Sequence, residues 1–536
     1  MVRAHLGPLD KKPFFDKKNG FFFVSKYYYR TRFYVNSLYN CNHSVTVCRL
    51  GLFCYKIHSN LGLFCYRILI NLGLFCYNLE TDLVMSFKRN VENYLDKWKL
   101  NDSRKPLIII RGARQVGKTT LIRDFAKTYK YQIILNLEKP GDRHYFEDFD
   151  EVQTILEALF LAHAIPSSEM SNTLLFIDEI QESPKAIQLL RYFYEELPEL
   201  HVISAGSLLE FAMQKVQSFP VGRVEFLYLH PLNFQEYLEA TYKQNLLEYL
   251  QLVPIKPVAH KLLMDAFHRY AIIGGMPEVI KVDMQQKNLS DLPRTYESIW
   301  GTYKNDVEKY TSNETERKII KHLMDTAPLY VDERVKFQGF GNSNYRSREV
   351  GEAFRTLDDA KIIRLIYPTT DLKPPLKSDL KKSPRLQFVD TGLVNYALGI
   401  QLEMLAMSDL NRAYKGAIIP HLVTQELISL QSISTHKPNF WVREKSQSNA
   451  EVDLLYSYQN FVIPIEIKSG STGSLKSLHQ FINAADHPYA IRMYGGTFNV
   501  EKAVTPERKP YLLMNLPYYA GTCLPQYIEW FVQQKL

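Results

Sequence analysis

The chain of 536 residues is too long for one hydrophobic core, and its length alone predicts about three domains. A composition of 46% hydrophobic and 23% charged residues is ordinary for globular proteins. The net charge of +8 does not predict a nucleic-acid-binding protein, because residues 1–84 contain eleven Lys/Arg and only four Asp/Glu. The other 452 residues carry 54 basic and 53 acidic side chains, which excludes a global basic field.

The first 84 residues contain a hexapeptide, LGLFCY, that recurs every 11 residues at positions 50–55, 61–66 and 72–77. One interpretation is a membrane-seeking hairpin, although Arg67 interrupts the apolar stretch and residues 68–77 are too few to span a bilayer. The other is a tandem DNA repeat translated from an upstream start, which would make the segment spurious or disordered. We favour the second interpretation because composition, charge and cysteine content all change at Met85, where an amphipathic helix begins.

Cysteine usage predicts a cytoplasmic protein without a membrane anchor. The body of the chain contains one thiol, Cys523, and no Cys/His spacing typical of structural zinc. The first residues, MVRAHLGPLDKK, lack the apolar core of a signal peptide.

A phosphate-binding loop is predicted directly after the apolar run LIIIR at residues 107–111, which is typical of a buried parallel strand. The next residues, GARQVGKTT, fit the Walker A pattern G-x-x-x-x-G-K-[ST]. Glycines let the backbone curl around phosphate, Lys118 reaches the β- and γ-phosphates, and the Thr119 hydroxyl is a ligand of Mg²⁺. The predicted nucleotide-binding residues are Gly112, Ala113, Arg114, Gln115, Val116, Gly117, Lys118, Thr119 and Thr120.

A second apolar strand, TLLFI at residues 173–177, is followed by Asp178 and Glu179. Ligands of such sheets bind at the carboxyl ends of the strands, where these carboxylates are expected. Asp178 is predicted to hold Mg²⁺ with Thr119, and Glu179 to polarise the attacking water.

Two further residues are candidates for the hydrolytic site. Ser207 follows a third strand, residues 201–205, and is predicted either to contact the γ-phosphate or to cap the next helix. Arg223 is predicted either to neutralise transition-state charge, in this chain or in a neighbouring subunit, or to be a surface arginine. No N-K-x-D element for guanine is present, so ATP is expected rather than GTP.

The segments GARQVGKTT, LLFIDEIQ, AGSLLEF, GRVEFLYLHPLNFQEYL and GGMPEVI resemble a bacterial and archaeal family of AAA+-type P-loop ATPases. The resemblance covers residues 86–520. It implies an α/β fold in which a parallel sheet of order 5-1-4-3-2 has helices on both faces. It also implies a C-terminal domain of unknown function with a pattern similar to restriction nucleases.

The middle of the chain is predicted to form two units after an ATPase core at residues 85–231. Residues 232–313 have the spacing of a helical lid, in which IIGGMPEVI marks a tight turn. Residues 314–370 resemble a winged-helix unit, whose second helix carries Arg346, Arg348 and Arg355. Acidic residues lie between these arginines, so DNA contact and packing against the ATPase are both open.

Residues 371–536 are predicted to form an α/β domain of the PD-(D/E)XK nuclease type. Asp453 lies in one predicted strand, while Glu466 and Lys468 lie on one face of the next. Asp453 and Glu466 are expected to share a divalent cation, with Lys468 orienting a water and Glu426 nearby on a helix. Gln480 is a predicted support. A degenerate binding module is the alternative.

These features together predict a cytoplasmic, Mg²⁺-dependent ATPase that controls a nuclease-like domain acting on, or docking to, DNA or RNA. The alternative is an ATP-driven regulatory switch that binds a protein partner and whose nuclease-like domain is inactive. The residues do not distinguish these partners or set the oligomeric state.

Overall fold

A computed structural model describes four short strands in the first 85 residues and most of the chain from Ser86 onward. The described ranges of that second part are 86–101, 107–207, 209–213, 219–220, 222–286, 289–311, 313–406, 416–434, 436–443, 450–468 and 475–535. The chain divides into two compact units, Met1–Met85 and Ser86–Leu536.

The first unit contains two antiparallel hairpins, β1 (Phe14–Asp16) with β2 (Phe21–Phe23) and β3 (Ser44–Val47) with β4 (Phe53–Lys56). The second and third LGLFCY repeats lie outside the described residues. The interpretation of this segment as spurious or disordered therefore stays a prediction.

None of the helices in the described ranges combines the length and the hydropathy that crossing a membrane requires.

The predicted ATPase core is built on five parallel strands in the order β6-β7-β8-β5-β9, which confirms the predicted order 5-1-4-3-2. The strands are β5 (Leu107–Arg111), β6 (Tyr131–Asn136), β7 (Thr173–Asp178), β8 (His201–Gly206) and β9 (Val224–Tyr228). Alternate residues of the central strands enter two separate hydrophobic cores, so both faces of the sheet are covered. The covering helices are α1 (Glu92–Leu100), α2 (Lys118–Ala126), α3 (Pro140–Asp148), α4 (Val152–Ala162), α5 (Pro184–Glu196) and α6 (Leu209–Met213).

A group of helices follows the sheet, as the lid prediction expected. They are α7 (Phe234–Ala240), α8 (Gln244–Leu250), α9 (His260–Ile273), α10 (Pro277–Gln286) and α11 (Leu292–Tyr310). The first begins with a capping box, in which the Asn233 side chain accepts from the amide of Glu236 and the Glu236 carboxylate accepts from that of Asn233.

The linker unit contains two helices and a two-stranded antiparallel sheet. The helices are α12 (Glu314–Thr326) and α13 (Ser347–Asp359), and the strands are β10 (Ile363–Ile366) and β12 (Arg385–Phe388). The boundary predicted at residue 370 therefore separates β10 from its partner. Residues 385–388, which the sequence assigned to the C-terminal domain, belong to this sheet because their backbone groups pair with residues 363–366.

The C-terminal part contains a seven-stranded mixed sheet of order β11-β13-β14-β15-β16-β18-β17. Its strands are β11 (Pro368–Thr369), β13 (Asn439–Val442), β14 (Glu451–Tyr458), β15 (Phe461–Ile467), β16 (Tyr489–Tyr494), β17 (Asn499–Val504) and β18 (Pro510–Pro517). The accompanying helices are α14 (Thr391–Leu398), α15 (Gln401–Ala406), α16 (Ile418–Ser429), α17 (Lys476–Ala484) and α18 (Leu524–Phe531). The predicted hairpin of β14 and β15 is confirmed.

Candidate nucleotide site and C-terminal carboxylate cluster

The loop between β5 and α2 takes a conformation that requires glycine at two positions. A Cβ atom on Gly112 would lie 2.2 Å from the carbonyl oxygen of Leu229, so any other residue would force the loop away from the sheet. Gly117 has a φ of +97° and precedes the first residue of α2. Helix α2 begins at Lys118. The amino end of a helix favours negative charge, such as that of a phosphate.

The side chain of Lys118 turns back onto its own loop. Its Nζ donates to the carbonyl oxygens of Gly112 at 3.0 Å and Ala113 at 2.9 Å. Burial lowers the pKa of Lys118 to about 8, although the carboxylates of Glu179 and Asp178 act in the opposite direction. A buried ammonium group with only neutral acceptors in direct contact is well suited to an entering phosphate.

The hydroxyl of Thr119 donates to Asp178 Oδ2 at 2.8 Å, which joins the beginning of α2 to the end of β7. Asp178 is buried, and this burial raises its pKa. A threonine hydroxyl and one carboxylate fit Mg²⁺ in a nucleotide site, because this ion takes one or two carboxylates and completes its shell with phosphate oxygens and water. In the described ranges, no group of three or more His, Cys, Asp or Glu side chains forms an all-protein metal site.

Glu179 lies beside this pair and is only partly buried. Its backbone has a φ of +50°, and its amide donates to Asp178 Oδ1 at 3.1 Å. Gln181 Nε2 donates to Glu179 Oε2 at 2.5 Å. The strained backbone and the amide of Gln181 together fix the direction of the Glu179 carboxylate.

A cavity of 690 Å³ lies between the loop and the lid helices. Its lining residues are Arg114, Gln115, Gly117, Lys118, Thr119, Thr120, Glu179, Pro277, Glu278, Arg294, Thr295, Ser298 and Ile299. The lid thus supplies one cation, Arg294 in the first turn of α11, that the sequence analysis missed. The only sequence signal for Arg294 is that it is a basic residue within the predicted lid, at residues 232–313.

Arg114 ties the loop to the lid. Its Nε lies 2.7 Å from Asp306 Oδ2 on α11, and its Nη2 lies 3.3 Å from Glu138 Oε1. The hydroxyl of Tyr303 donates to the carbonyl oxygen of Arg114 at 2.9 Å. The contacts with Asp306 and Tyr303 therefore hold the loop against α11.

Arg89 is a second residue that the sequence analysis missed. Its Nη1 donates to the carbonyl oxygen of Val116 at 3.0 Å, and its Nη2 donates to that of His230 at 2.6 Å. Its Nε lies 3.3 Å from Glu236 Oε1. Arg89 thus joins the loop, 27 residues away, to His230, 141 residues away, and such distant contacts leave no local pattern.

Ser207 lies at the carboxyl end of β8, the strand between β7 and β5. Its Oγ is buried and has no hydrogen-bond partner among the described residues. A serine that caps a helix accepts a hydrogen bond from a backbone amide, and Ser207 Oγ accepts none from the described residues.

The structure contradicts a role for Arg223 in the nucleotide site of the same chain. Arg223 precedes β9, and its carbonyl oxygen accepts from the amide of Leu107, the first residue of β5. It therefore lies at the amino edge of the sheet, separated from Gly112 by a strand length of about 16 Å. Its Nη2 pairs with Glu195 Oε1 at 3.0 Å.

In the C-terminal sheet, Asp453 and Glu466 lie on facing positions of β14 and β15, one step beyond the pair Leu454 and Ile465. Facing residues project from the same side of a sheet. Lys468 Nζ donates to Glu466 Oε1 at 2.5 Å, while Glu466 Oε2 is buried without a hydrogen-bond partner among the described residues. Burial raises the pKa of Glu466 to about 7, and the Asp453 carboxylate adds to this.

Arg385 brings a cation from β12 into this cluster, which the sequence analysis did not foresee. Its Nη1 donates to the carbonyl oxygen of Asp453 at 3.2 Å, its Nη2 lies 3.6 Å from Asp453 Oδ1, and its guanidinium also pairs with Glu451. Burial lowers the pKa of Arg385, but the neighbouring carboxylates of Asp332, Asp453 and Glu451 outweigh it and raise the pKa. The chain itself therefore places positive charge beside the carboxylates.

The prediction that Glu426 lies near this cluster is wrong. Glu426 Oε2 accepts from the amide of Phe234 at 2.9 Å, and Oε1 accepts from the hydroxyl of Tyr270 at 2.7 Å. Both partners are residues of the lid, so the carboxylate of Glu426 joins α16 to the lid. The predicted support Gln480 accepts from Arg443 Nη1 at 2.9 Å.

Residues 104–238 match the model of a family described as an AAA domain. This match and the parallel five-stranded sheet identify the region as an AAA+-type P-loop ATPase domain. Residues 264–403 and 415–510 match two families described only as domains of unknown function, DUF8612 and DUF4143. The nuclease-like character of the C-terminal part is not among these descriptions.

Among solved structures, the chain is similar to the RuvB Holliday junction branch migration motor of Thermotoga maritima, at 16% identity over 55% of this chain and 93% of RuvB, with a TM-score of 0.25. It is also similar to AMPPCP-bound DnaA from Aquifex aeolicus, at 17% identity over 51% of this chain and 86% of DnaA, with a TM-score of 0.21. A search of curated proteins gives no match.

Proposed function

We propose that this protein is a Mg²⁺-dependent ATPase whose nucleotide binds in the cavity between the phosphate-binding loop and the lid. The observation that carries the proposal is the 2.8 Å contact between Thr119 Oγ1 and Asp178 Oδ2, with Lys118 and Glu179 lining the same cavity. These are the two ligands and the two charged groups that phosphoryl transfer to water requires.

Each residue then has a distinct role. Lys118 exchanges its two carbonyl acceptors for oxygens of the β- and γ-phosphates, and Thr119 and Asp178 hold the cation. Mg²⁺, when bound, neutralises charge on the phosphate oxygens. Glu179, fixed by Gln181, orients the attacking water and accepts its proton.

Two further groups complete the site. The unpartnered Oγ of Ser207 lies between the two strands that carry Gly112 and Asp178, where it can donate to the γ-phosphate or to the attacking water. Arg294 takes the role that the sequence assigned to Arg223, because it is a basic residue of the lid that lines the cavity. Closure of the lid would bring this charge to the transferring phosphoryl group.

The proposal is tested by Lys118→Ala, which removes the buried ammonium group. We expect ATP binding to weaken strongly and hydrolysis to be lost, measured by calorimetry and phosphate release on the full chain. Lys127→Ala is the control, because Lys127 follows α2 and its ammonium is exposed and paired with Asp124. Turnover by Lys118→Ala at the parent rate would overturn the assignment of the loop.

A second candidate function is a divalent-cation site that supports phosphodiester cleavage of DNA or RNA in the C-terminal part. It is favoured by the facing carboxylates of Asp453 and Glu466 and by the buried, unpartnered Glu466 Oε2. Lys468, bonded to the same carboxylate, would orient a water. In the alternative, Arg385 and Lys468 already neutralise the cluster, and the protein is an ATP-driven switch for a protein partner.

Titration of Mn²⁺ into the full chain by calorimetry separates these alternatives. A cation site predicts binding that is lost in Asp453→Asn and kept in Asp486→Asn, in which an exposed aspartate paired with Lys373 is changed. Binding that is equal in both variants places the cation elsewhere. Absence of binding to the parent favours the switch.

A further inference from the structure

The turn between α9 and α10 is held by a buried aspartate from a distant part of the chain. The amide of Gly275 donates to Asp390 Oδ2 at 2.6 Å, and the carbonyl oxygen of Gly275 accepts from the amide of Leu232 at 2.8 Å. Both backbone groups of this one residue are thus fixed by partners outside the turn.

The contact is so close that the turn tolerates only glycine. A Cβ atom on Gly274, whose φ is +76°, would lie 2.3 Å from Asp390 Oδ1, and one on Gly275 would lie 2.0 Å from the carbonyl oxygen of Leu232. On the other side, a Cβ atom on Gly392 would lie 2.1 Å from the carbonyl oxygen of Ile273. The three glycines allow the backbones of the turn and of α14 to approach each other directly.

Asp390 also caps α14, since its Oδ1 accepts from the amide of Leu393 at 3.0 Å. The side chain is fully buried, and burial raises its pKa to about 6 against the effect of the backbone amides. Asp390 forms no ion pair with a described residue; backbone amides are its partners. A buried carboxylate held only by backbone amides fixes their positions closely, because losing either contact leaves a desolvated group.

The turn leads directly into the nucleotide cavity. Pro277, the first residue of α10, and Glu278 both line that cavity. Pro277 Cγ lies 3.6 Å from the position of a Cβ atom on Gly117, so the beginning of α10 contacts the phosphate-binding loop. Only Met276 separates this wall of the cavity from the residue that Asp390 holds.

We propose that Asp390 is a positioning residue for the nucleotide site: by fixing Gly275, it sets the place of Pro277 and Glu278 against the phosphate-binding loop. Asp390 does not line the cavity itself, and it acts on bound nucleotide through the turn. This inference rests on the proposed ATPase function. It also couples the wall of the nucleotide cavity to the residue that caps α14. A ligand that displaced Asp390 would therefore change nucleotide affinity, and bound nucleotide would change the affinity of that ligand by the same factor.

The test is the affinity of the full chain for ATP with Mg²⁺, measured by calorimetry in Asp390→Asn. Asparagine keeps one carbonyl acceptor but places an amide group against a backbone donor, so the turn loses its fixed position. We expect ATP to bind about tenfold more weakly. We also expect KM to rise with kcat within about twofold of the parent, since groups that touch the reacting phosphate are unchanged.

Asn395→Ala is the matched control. Asn395 lies on the same helix and is buried, and its Nδ2 donates to the carbonyl oxygens of Ala271 at 2.8 Å and Ile272 at 3.1 Å. It therefore holds α14 to α9 without touching the glycine turn. We expect this variant to lower the Tm as Asp390→Asn does, and to leave ATP affinity at the parent value.

Equal ATP affinity in the parent and in Asp390→Asn, or equal losses in both variants, would overturn the positioning role. If Asp390→Asn does not fold, amide hydrogen exchange in the parent gives the second measurement. Bound ATP should slow exchange in peptides that cover residues 274–280, and an unchanged rate there contradicts the inference. Failure of the parent to bind ATP at all would instead refute the proposed function, and this inference with it.

Discussion

At the scale of single residues, Lys118 shows how the fold prepares a charge for a ligand. Burial lowers its pKa to about 8, and the groups it contacts directly are the neutral carbonyl oxygens of Gly112 and Ala113. An anion stabilises a desolvated ammonium group far more than such oxygens do. The Walker A motif is local, so the sequence was sufficient to single out Lys118, whereas its burial and its two carbonyl contacts appear only in the fold.

The arginines of the site could not be predicted in the same way. Arg89, Arg294 and Arg385 reach their partners through tertiary packing, and neighbouring residues in the sequence carry no sign of those contacts. Arg223 was a candidate because an arginine in this segment could neutralise transition-state charge. The parallel register puts it at the amino edge of the sheet instead.

Arg294→Ala tests the role proposed for the lid. Because Arg294 is exposed and lines the cavity, its loss should leave the fold intact and remove charge that stabilises the transition state. We expect kcat for ATP to fall about a hundredfold, with ATP affinity changed by much less. The companion variant Arg223→Ala should keep its rate within about twofold. Equal rates in the two variants would refute the distinction.

At the scale of elements, the sequence predicted that Glu426 lies near the C-terminal carboxylates. In the structure its carboxylate instead bonds to the lid, at the contact between α16 and the lid. The helix itself was predicted correctly from its apolar pattern, but the side of the molecule on which its carboxylate lies depends on how two distant helices pack. The same limit applies to the linker unit. The pairing of β10 with β12 joins residues about twenty positions apart and is not encoded locally.

Glu426 makes the stability of this junction depend on pH. Burial raises the pKa of its carboxyl group from 4.5 to about 8, with Tyr270, the Phe234 amide and Glu236 as the neighbouring groups. Between these values the folded chain keeps the proton and the unfolded chain releases it. The contribution of Glu426 to the free energy of unfolding is therefore largest below pH 4.5 and falls as pH rises to about 8.

The variant Glu426→Gln is neutral at every pH and has nearly the same shape. We expect its Tm to decline less than that of the parent between about pH 5 and about pH 8, because the proton linkage is gone. Glu248→Gln, which changes an exposed carboxylate on α8, should follow the parent. Parallel Tm curves for the parent and Glu426→Gln would contradict the assignment of the buried proton.

At the scale of the whole molecule, residues that match two different families line one cavity, the proposed nucleotide site. The loop comes from the residues that match the AAA domain, whereas the lid wall at Pro277 and Arg294 comes from residues that match DUF8612. The phosphate-binding loop could be predicted because its motif is local, whereas the order of the sheet was implied by the resemblance to a known family. The sequence could not show that residues 385–388 pair with residues 363–366, which is why the boundary predicted at residue 370 separates β10 from β12.

The central claim, that Glu179 orients the water which attacks ATP held by Lys118, Thr119 and Asp178, is tested most directly by phosphate release from ATP in the full chain. With Mg²⁺ present, the parent should hydrolyse ATP. Glu179→Gln should bind ATP with the affinity of the parent but release phosphate at least about a hundredfold more slowly. Release should stop in both when the cation is chelated. Phosphate release by Glu179→Gln at the parent rate would contradict the account.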